Sequence, residues 1–331
     1  MPTAEQVLSL LSSHASGDDA RFASVAMQIA AGEAQKGRRD LAEEIKRLID
    51  ESRRSRLENL SNASVHVATP QGELASLLSI SHPDARLASM VLGDEQQRRL
   101  TRVLREQKQL DALRNHALHP RRKLLLVGPP GTGKTMAAAA LAGELSLPLC
   151  VVRLESLVTK FMGETTAKLR LVFDAVERTR AVYLFDEFDS LGYQRSVGHD
   201  VGEMRRVLNS FLVFLENLAG QSLIIAATNH GEMLDQALFR RFDDVLEFTL
   251  PSDAQRAEAF ARRLAIYRPS ASLLRSIAKS SAGLSYGEIT RVCEDAIKDS
   301  VLSERGSVSL DDLRNVLKER LPATRRKPAR C

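Results

Sequence analysis

Eight residues, Gly128-Pro129-Pro130-Gly131-Thr132-Gly133-Lys134-Thr135, constrain this chain more than any other stretch. They follow the apolar run Leu124 to Val127 and precede the alanine run Ala137 to Ala140, which makes them a loop between a strand and a helix. In that context the pattern G-x-x-x-x-G-K-[ST] is a phosphate-binding loop rather than a chance glycine-rich turn. Glycines let backbone N–H groups turn inward around phosphate oxygens, and the start of the helix adds its positive partial charge. Lys134 is expected to meet the β- and γ-phosphates of a nucleoside triphosphate, and Thr135 to ligate Mg2+. Met136, next in the helix, completes this nucleotide-binding set.

A second element is Val182-Tyr183-Leu184-Phe185, an apolar strand that ends in Asp186 and Glu187. Neighbours on a strand point to opposite sides, which predicts separate jobs for the two carboxylates. Asp186 is expected to hold the Mg2+ hydration shell, and Glu187 to polarise the water that attacks the γ-phosphate.

The rest of the chain organises around these motifs. From about residue 86 to 250, apolar runs at 124–127, 149–152, 182–185, 223–227 and 245–248 alternate with helical patterns. Such alternation predicts an α/β unit, a parallel sheet with helices on both faces. After Pro251 the pattern is helical to about Leu321, giving a separate helical subdomain at 251–321 and a basic tail at 322–331. Ahead of the sheet, apolar stripes at Val7, Leu8 and Leu11, at Phe22, Val25, Ala26 and Ile29, and at Leu41, Ile45, Leu48 and Ile49 have helical spacing. They predict a small all-α domain at 1–60. Residues 61–85 lose periodicity and hold Pro70 and Pro83, so they are expected to be a linker.

Composition narrows the setting. No apolar run approaches the roughly 18–20 residues of a membrane span, and MPTAEQVLSL carries neither a basic segment nor a small-residue cleavage site, so the expected location is cytoplasmic. Cys150, Cys293 and Cys331 are too far apart for a C-x-x-C pair. Lys and Arg total 47 against 42 Asp and Glu, and the tail holds part of that small excess, so charge gives little support for a nucleic-acid partner.

With GPPGTGKT and Asp186-Glu187-Phe188-Asp189 in place, the chain resembles the AAA+ ATPases over roughly 86–321, specifically their protein-remodelling branch. The resemblance implies ATP and Mg2+ as cofactors, a five-stranded sheet in the order 5-1-4-3-2 with a helical lid, and an active ring usually of six subunits. Asn229, closing Ala226-Ala227-Thr228, matches the sensor 1 residue and would orient the attacking water. Arg240 and Arg241, within Ala237 to Asp243, match the arginine fingers that enter a neighbour's site. The family's Pro-Gly-like spacer between the arginines is missing, so which is the main finger stays open, with Arg241 favoured by its place before Phe242-Asp243. Lys160-Phe161-Met162-Gly163 resembles the central pore loop of protein translocases, where an aromatic grips a polypeptide, with a buried Phe-Met pair as the plainer reading. In the lid, Gly283-Leu284-Ser285-Tyr286-Gly287-Glu288 resembles the segment whose helix start backs the adenine, which adds Gly287 to the nucleotide set. No arginine stands at the lid position where other AAA+ branches carry one.

The favoured function is an ATP-hydrolysing motor, a homo-oligomeric ring and most often a hexamer. It would unfold or thread a protein client recruited by 1–60, in the service of a separate effector such as a protease. A nucleic-acid-directed helper, as in transposition or helicase loading, is the alternative. Against it stand the pore aromatic, the lack of a helix-turn-helix or zinc module, and the lack of a Lys/Arg-dense stripe outside the tail. An ATP-controlled scaffold is a third reading, opposed by Glu187, since a pure switch needs no hydrolytic base.

Overall fold

The computed structural model describes residues 72–157, 163–191, 201–234, 236–303 and 307–324, together with positions 25, 29, 30, 43 and 47. The chain divides into two compact units, 1–66 and 67–331. In the first, the five described positions are helical, and Ile29 and Ala30 are buried. The remainder of the expected domain at 1–60 lies outside the described residues.

In the second unit, α1 (Glu73–Leu77) runs directly into β1 (Leu78–Ser81). There follow α2 (Asp94–Lys108), α3 (Leu110–Asn115), β2 (Lys123–Val127), α4 (Lys134–Leu145), β3 (Leu149–Val152), α5 (Leu154–Leu157), α6 (Glu164–Arg178) and β4 (Val182–Phe185). After them come α7 (Val201–Asn217), β5 (Leu223–Thr228), α8 (Gln236–Phe239) and β6 (Asp244–Glu247). The strands form one sheet of six in the order β1-β3-β4-β5-β2-β6. All pairings among β2 to β6 are parallel, and their order is the one the family resemblance implies, read from the other edge.

The sixth strand corrects the expectation of five strands and of a linker reaching residue 85. β1 pairs antiparallel with β3, Leu78 opposite Val152 and Ser81 opposite Leu149, and Leu77 and Leu78 are buried. The stretch escaped the periodicity argument because the helix is too short to show a helical repeat before the spacing changes to that of a strand. Pro83 is a breaker only in the sense that it ends the strand, and the chain then packs against α4. A Cβ at Gly143 would lie 2.2 Å from the Ala85 carbonyl oxygen, so α4 needs glycine there.

Side-chain alternation sorts the strands into two cores. Leu124, Leu126, Val182, Leu184, Leu223, Ile225 and Ala227 face the small residues of α4 and the apolar stripe Leu100, Val103 and Leu104 of α2. Their neighbours Leu125, Tyr183, Phe185, Ile224 and Ala226 face α6 and α7. Both faces are covered, which is why these strands are apolar throughout. On the second face Phe211 of α7 sits among Phe173, Phe185 and Phe188, with ring centroids 5.4, 5.1 and 4.7 Å away.

The lid comprises α9 (Asp253–Arg263), α10 (Ala271–Ser280), α11 (Tyr286–Leu302) and α12 (Leu310–Thr324), so its last helix passes the expected end at Leu321. Phe260, Ile277, Ile289, Val292 and Leu313 form its own core. The Ser252 hydroxyl accepts from the Gln255 N–H, and the Gln255 side chain accepts from the Ser252 N–H, a capping box that starts α9. Buried Arg256 fastens that start, donating to the carbonyls of Pro251 (2.6 Å) and Ala278 (2.8 Å).

Phe211→Ala removes the centre of the aromatic cluster and is expected to lower unfolding stability by about 3–5 kcal/mol. A denaturant titration of the whole chain measures it, and a loss below about 1 kcal/mol would mean that the cluster does not hold α7 on the sheet.

Candidate functional site

The C-terminal ends of β2, β4 and β5 meet at one point. The phosphate-binding loop leaves β2 through Gly128, whose φ of +151° and closeness to the chain after β6 exclude a side chain: a Cβ would lie 1.9 Å from the Phe248 carbonyl oxygen. The Thr132 hydroxyl donates to the Pro129 carbonyl (2.8 Å) and closes the loop. Pro130, Gly131, Gly133, Lys134 and Thr135 line a cavity of about 600 Å3 with Asp186, Glu187 and Asn229.

Lys134 is only 6% exposed. Its ammonium donates to the carbonyls of Gly128 (2.6 Å) and Pro129 (3.0 Å) and to Asn229 Oδ1 (2.8 Å), which uses all its protons. Burial pushes the ammonium below its usual pKa, against an opposing pull from Asp186 and Asp189. Its direct acceptors are uncharged, so the positive charge is short of an anion. Polyphosphate oxygens fit that deficit and compete for the same protons.

The Thr135 hydroxyl donates to Asp186 Oδ2 (2.6 Å), so the two side chains expected around Mg2+ stand together. They are hard oxygen donors suited to that ion. Among the described residues no cluster of three or more His, Cys, Asp or Glu forms a protein metal cage, and Mg2+ at phosphate sites does not require one.

Glu187 is exposed and has φ +51°, in the left-handed region that costs a non-glycine residue about 1–3 kcal/mol. Strand alternation therefore does not separate the two carboxylates: β4 ends at Phe185, and the turn at Glu187 aims the second one. The turn is fixed from both sides. The Glu187 N–H donates to Asp186 Oδ1 (3.0 Å), and the next side chain, Phe188, is wholly buried in the aromatic cluster.

Asp189 is a residue whose role the sequence reading left unassigned. Its Oδ1 accepts from the Thr228 hydroxyl (3.0 Å) and the Asn229 N–H (3.3 Å), tying the turn after β4 to the end of β5. Its signal lay in Asp186-Glu187-Phe188-Asp189, where only the first two carboxylates received roles.

A smaller cavity of about 300 Å3 adjoins, sharing Gly133, Met136, Arg263, Tyr286 and Thr290 with the first. Met90, Val91, Met136 and Ala259 give it apolar walls suited to a planar base. The lid thus contributes to both cavities. Gly287, the sequence candidate from this region, lines the larger one, and its N–H donates to the Gly131 carbonyl (3.0 Å). Thr290, Arg291 and Glu294 line the same cavity; their spacing from Gly287 is that of one helix face, a signal readable only once α11 is known to turn that face to the loop.

The expected arginine pair is not part of this assembly. Arg240 and Arg241 are exposed and line neither cavity; Arg241 forms an ion pair with Glu216 of α7. Lys160, Phe161 and Met162 lie outside the described residues, and Gly163 is exposed at the start of α6 with φ +97°. An unexpected feature is a groove of about 600 Å3 along α2 lined by Arg98, Arg102 and Arg105. The groove also contains Glu106, which pairs with Arg102, and Glu95 and Glu106 flank the row and offset it in a charge count. Among the described residues no helix is long and apolar enough to cross a membrane.

Comparison with known proteins agrees with this geometry. Residues 124–250 match the family described as ATPase family associated with various cellular activities (AAA). The chain is 34% identical over 322 residues to y4kL of Sinorhizobium fredii, named an uncharacterized AAA family ATPase, with 96% of each chain covered. It is 35% identical over 202 residues to the ATP-dependent zinc metalloprotease FtsH 1 of Salinibacter ruber, covering 59% of this chain but 29% of that protein. It is 34% identical over 221 residues to the proteasome-activating nucleotidase of Saccharolobus islandicus, covering 63% of this chain and 56% of that one.

Lys134→Ala is expected to abolish nucleotide binding, whereas Glu187→Gln should keep it and lower turnover by roughly a hundredfold or more. Equilibrium binding beside a steady-state ATPase assay separates the two, and equal loss of binding in both variants contradicts the assigned roles.

Proposed function

The chain belongs to the AAA family of ATPases and hydrolyses ATP, and on that premise we propose that it is a ring-forming motor whose work is done on a protein partner. What carries the reading is the division of the reactive groups. The cavity gathers Lys134, Thr135, Asp186, Glu187 and Asn229, while the arginine pair stands exposed outside it. Phosphoryl transfer gains most from a guanidinium at the terminal phosphate, and a second copy of the chain is the source that fits Arg241. A closed ring, most simply a hexamer, gives every site such a neighbour.

Within each site Lys134 exchanges its carbonyl partners for β- and γ-phosphate oxygens. Glu187 takes a proton from the attacking water, and the Asn229 amide orients that water. Asp189 holds Asn229 in place through its backbone N–H. Mg2+, held through Thr135 and Asp186, supplies charge neutralisation at the phosphates when bound. Arg241 leaves Glu216 to reach the adjoining subunit's site.

A protein partner is supported by the likeness to FtsH and to the proteasome-activating nucleotidase, whose names join ATP use to a protease and a proteasome. No protease motif occurs in this chain, so any proteolysis belongs to a separate effector. Phe161, by its place in the sequence, is the residue proposed to grip the client, with residues 1–60 as the recruiting element. The arginine groove along α2 is the one observation that favours a nucleic-acid partner, but its lining includes no aromatic side chain on which a base could stack. Stimulation of ATPase by an unfolded protein, and not by single-stranded DNA, is the expected outcome; the reverse would replace this reading with the nucleic-acid one.

Arg241→Ala should bind ATP normally yet lose roughly 10^3-fold in turnover, the scale of a missing arginine finger. Mixing it with Lys134→Ala subunits should restore part of that turnover at mixed interfaces. Rings that form but show no complementation at any ratio would rule out action in trans.

Phe161→Ala should fold, bind ATP and keep most basal turnover while losing client unfolding, and Phe161→Tyr should retain both because aromatic area survives. A core phenylalanine instead predicts loss of folding and ATPase together. Thermal melting, ATPase and unfolding assays on the same preparations decide between them.

A further inference from the structure

Away from the nucleotide site, α2 turns two faces to different surroundings. Leu100, Val103 and Leu104 are buried in the core that α2 shares with α4 and the sheet. Arg98, Thr101, Arg102 and Arg105 have the spacing of the other face and border the groove of about 600 Å3, which Leu113 of α3 also lines. No residue of this groove lines either nucleotide cavity.

The charges around the groove differ in how far they are already answered. Glu106 is met by Arg102 (3.1 Å) and by Arg121 (3.3 Å), and its second oxygen accepts the Arg121 N–H (2.9 Å). Glu95 pairs with Arg99 (3.4 Å), and Asp111 with Arg114 (3.8 Å). Asp94 stands in the first turn of α2, where the helix start favours a carboxylate. Arg98 spends only its Nε, on the Asp94 carbonyl (3.3 Å), and its terminal nitrogens make no bond among the described residues. Arg105 makes neither an ion pair nor a hydrogen bond among them. Two exposed guanidiniums therefore stand ready for an anion, seven residues and about 10 Å apart along the helix axis.

That separation fits carboxylates two turns apart on one face of a second helix, which span the same about 10 Å. Guanidinium and carboxylate are matched planar groups. The rest of the lining suits a polypeptide as well: Gln97, Thr101 and Gln109 both donate and accept, and Leu113 offers contact to an aliphatic side chain. A nucleic-acid strand fits less well. Its phosphates recur at every nucleotide and would meet the Glu106 carboxylate, and the groove has no aromatic side chain for a base.

We propose that the α2 groove docks an acidic helical segment of a protein partner, Arg98 and Arg105 each pairing with one of two carboxylates seven residues apart. This goes beyond the motor reading, which puts client handling at residues 1–60 and Phe161. It is a separate binding surface and stands whether or not that reading holds.

Fluorescence anisotropy of the full chain tests it, with a labelled alanine-rich helical peptide carrying two glutamates seven residues apart. Saturable binding is expected. Arg98→Ala and Arg105→Ala should each weaken it roughly fivefold, the upper scale of an exposed ion pair, and together about twentyfold. The same peptide with glutamine at both positions should bind the parental chain as poorly as the original binds the double variant. Arg105→Glu should lose the original peptide and regain binding when one glutamate is replaced by lysine. Because both arginines are exposed and outside the nucleotide cavities, the variants should melt at the parental temperature and keep basal ATPase within about twofold, which separates docking from folding and from turnover. Absence of saturable binding, or equal binding of the glutamine peptide, overturns the proposal. Tighter binding of oligothymidylate that the same two substitutions abolish would give the groove to nucleic acid instead. A change in the sedimentation of the variants without peptide would give it to contact between copies of the chain.

Discussion

One buried ammonium joins the parts of this molecule that do chemistry. Lys134 projects from the first turn of α4 and bonds the carbonyls of the loop after β2 and the amide oxygen of Asn229 after β5. Asp189 extends that connection to the turn after β4. The ends of three adjacent parallel strands are thus cross-linked by polar groups that are mostly shielded from water, where an unmatched donor or acceptor is costly. The strand order matters because it places β2 beside β5 and β5 beside β4, so that the Lys134–Asn229–Asp189 chain spans neighbours. A sheet with the same strands in another order would scatter these residues.

The hydrophobic core and the polar site are coupled at Glu187. Its left-handed conformation is unfavourable alone and survives because the next residue, Phe188, is anchored beside Phe211, with ring centroids 4.7 Å apart. Packing on the far face of the sheet thereby aims a carboxylate into the cavity on its edge.

What could be read from the sequence was whatever one local pattern determines. The phosphate-binding loop, the Asp186-Glu187 strand end and Asn229 each sit after an apolar run, and the β/α alternation fixed the covered parallel sheet. Features that depend on contact between distant segments were not legible. β1 is a strand only because β3 offers it an edge, and the residues beside Pro83 resembled a linker until packing against Gly143 was seen. Arg291 and Thr290 look like ordinary solvent-facing positions on a lid helix. They become site residues because the Gly287–Gly131 bond turns their face inward. The arginines of α2 were hidden in a different way, since the flanking Asp94, Glu95 and Glu106 offset them in a charge sum although the three share one groove.

The nucleotide cavities have walls from both subdomains, and the joints between those walls are few. Arg262 donates to the carbonyls of Ala88 (2.7 Å) and Met90 (3.1 Å), fixing α9 to the segment that borders the base. The Gly287 N–H fixes α11 to the phosphate-binding loop, while Arg256 braces the exit from the sheet against α10. A bound nucleotide can move the lid only by favouring one setting of these joints over another, because equal contacts in both settings shift nothing. The base end is the same for ATP and ADP, so the joint at Arg262 meets the same load before and after hydrolysis. The loop joint lies beside the phosphates that change. Differential force on the lid must therefore enter through α11, whose core contacts at Ile289, Val292 and Ala296 carry it as a rigid unit into the rest of the lid.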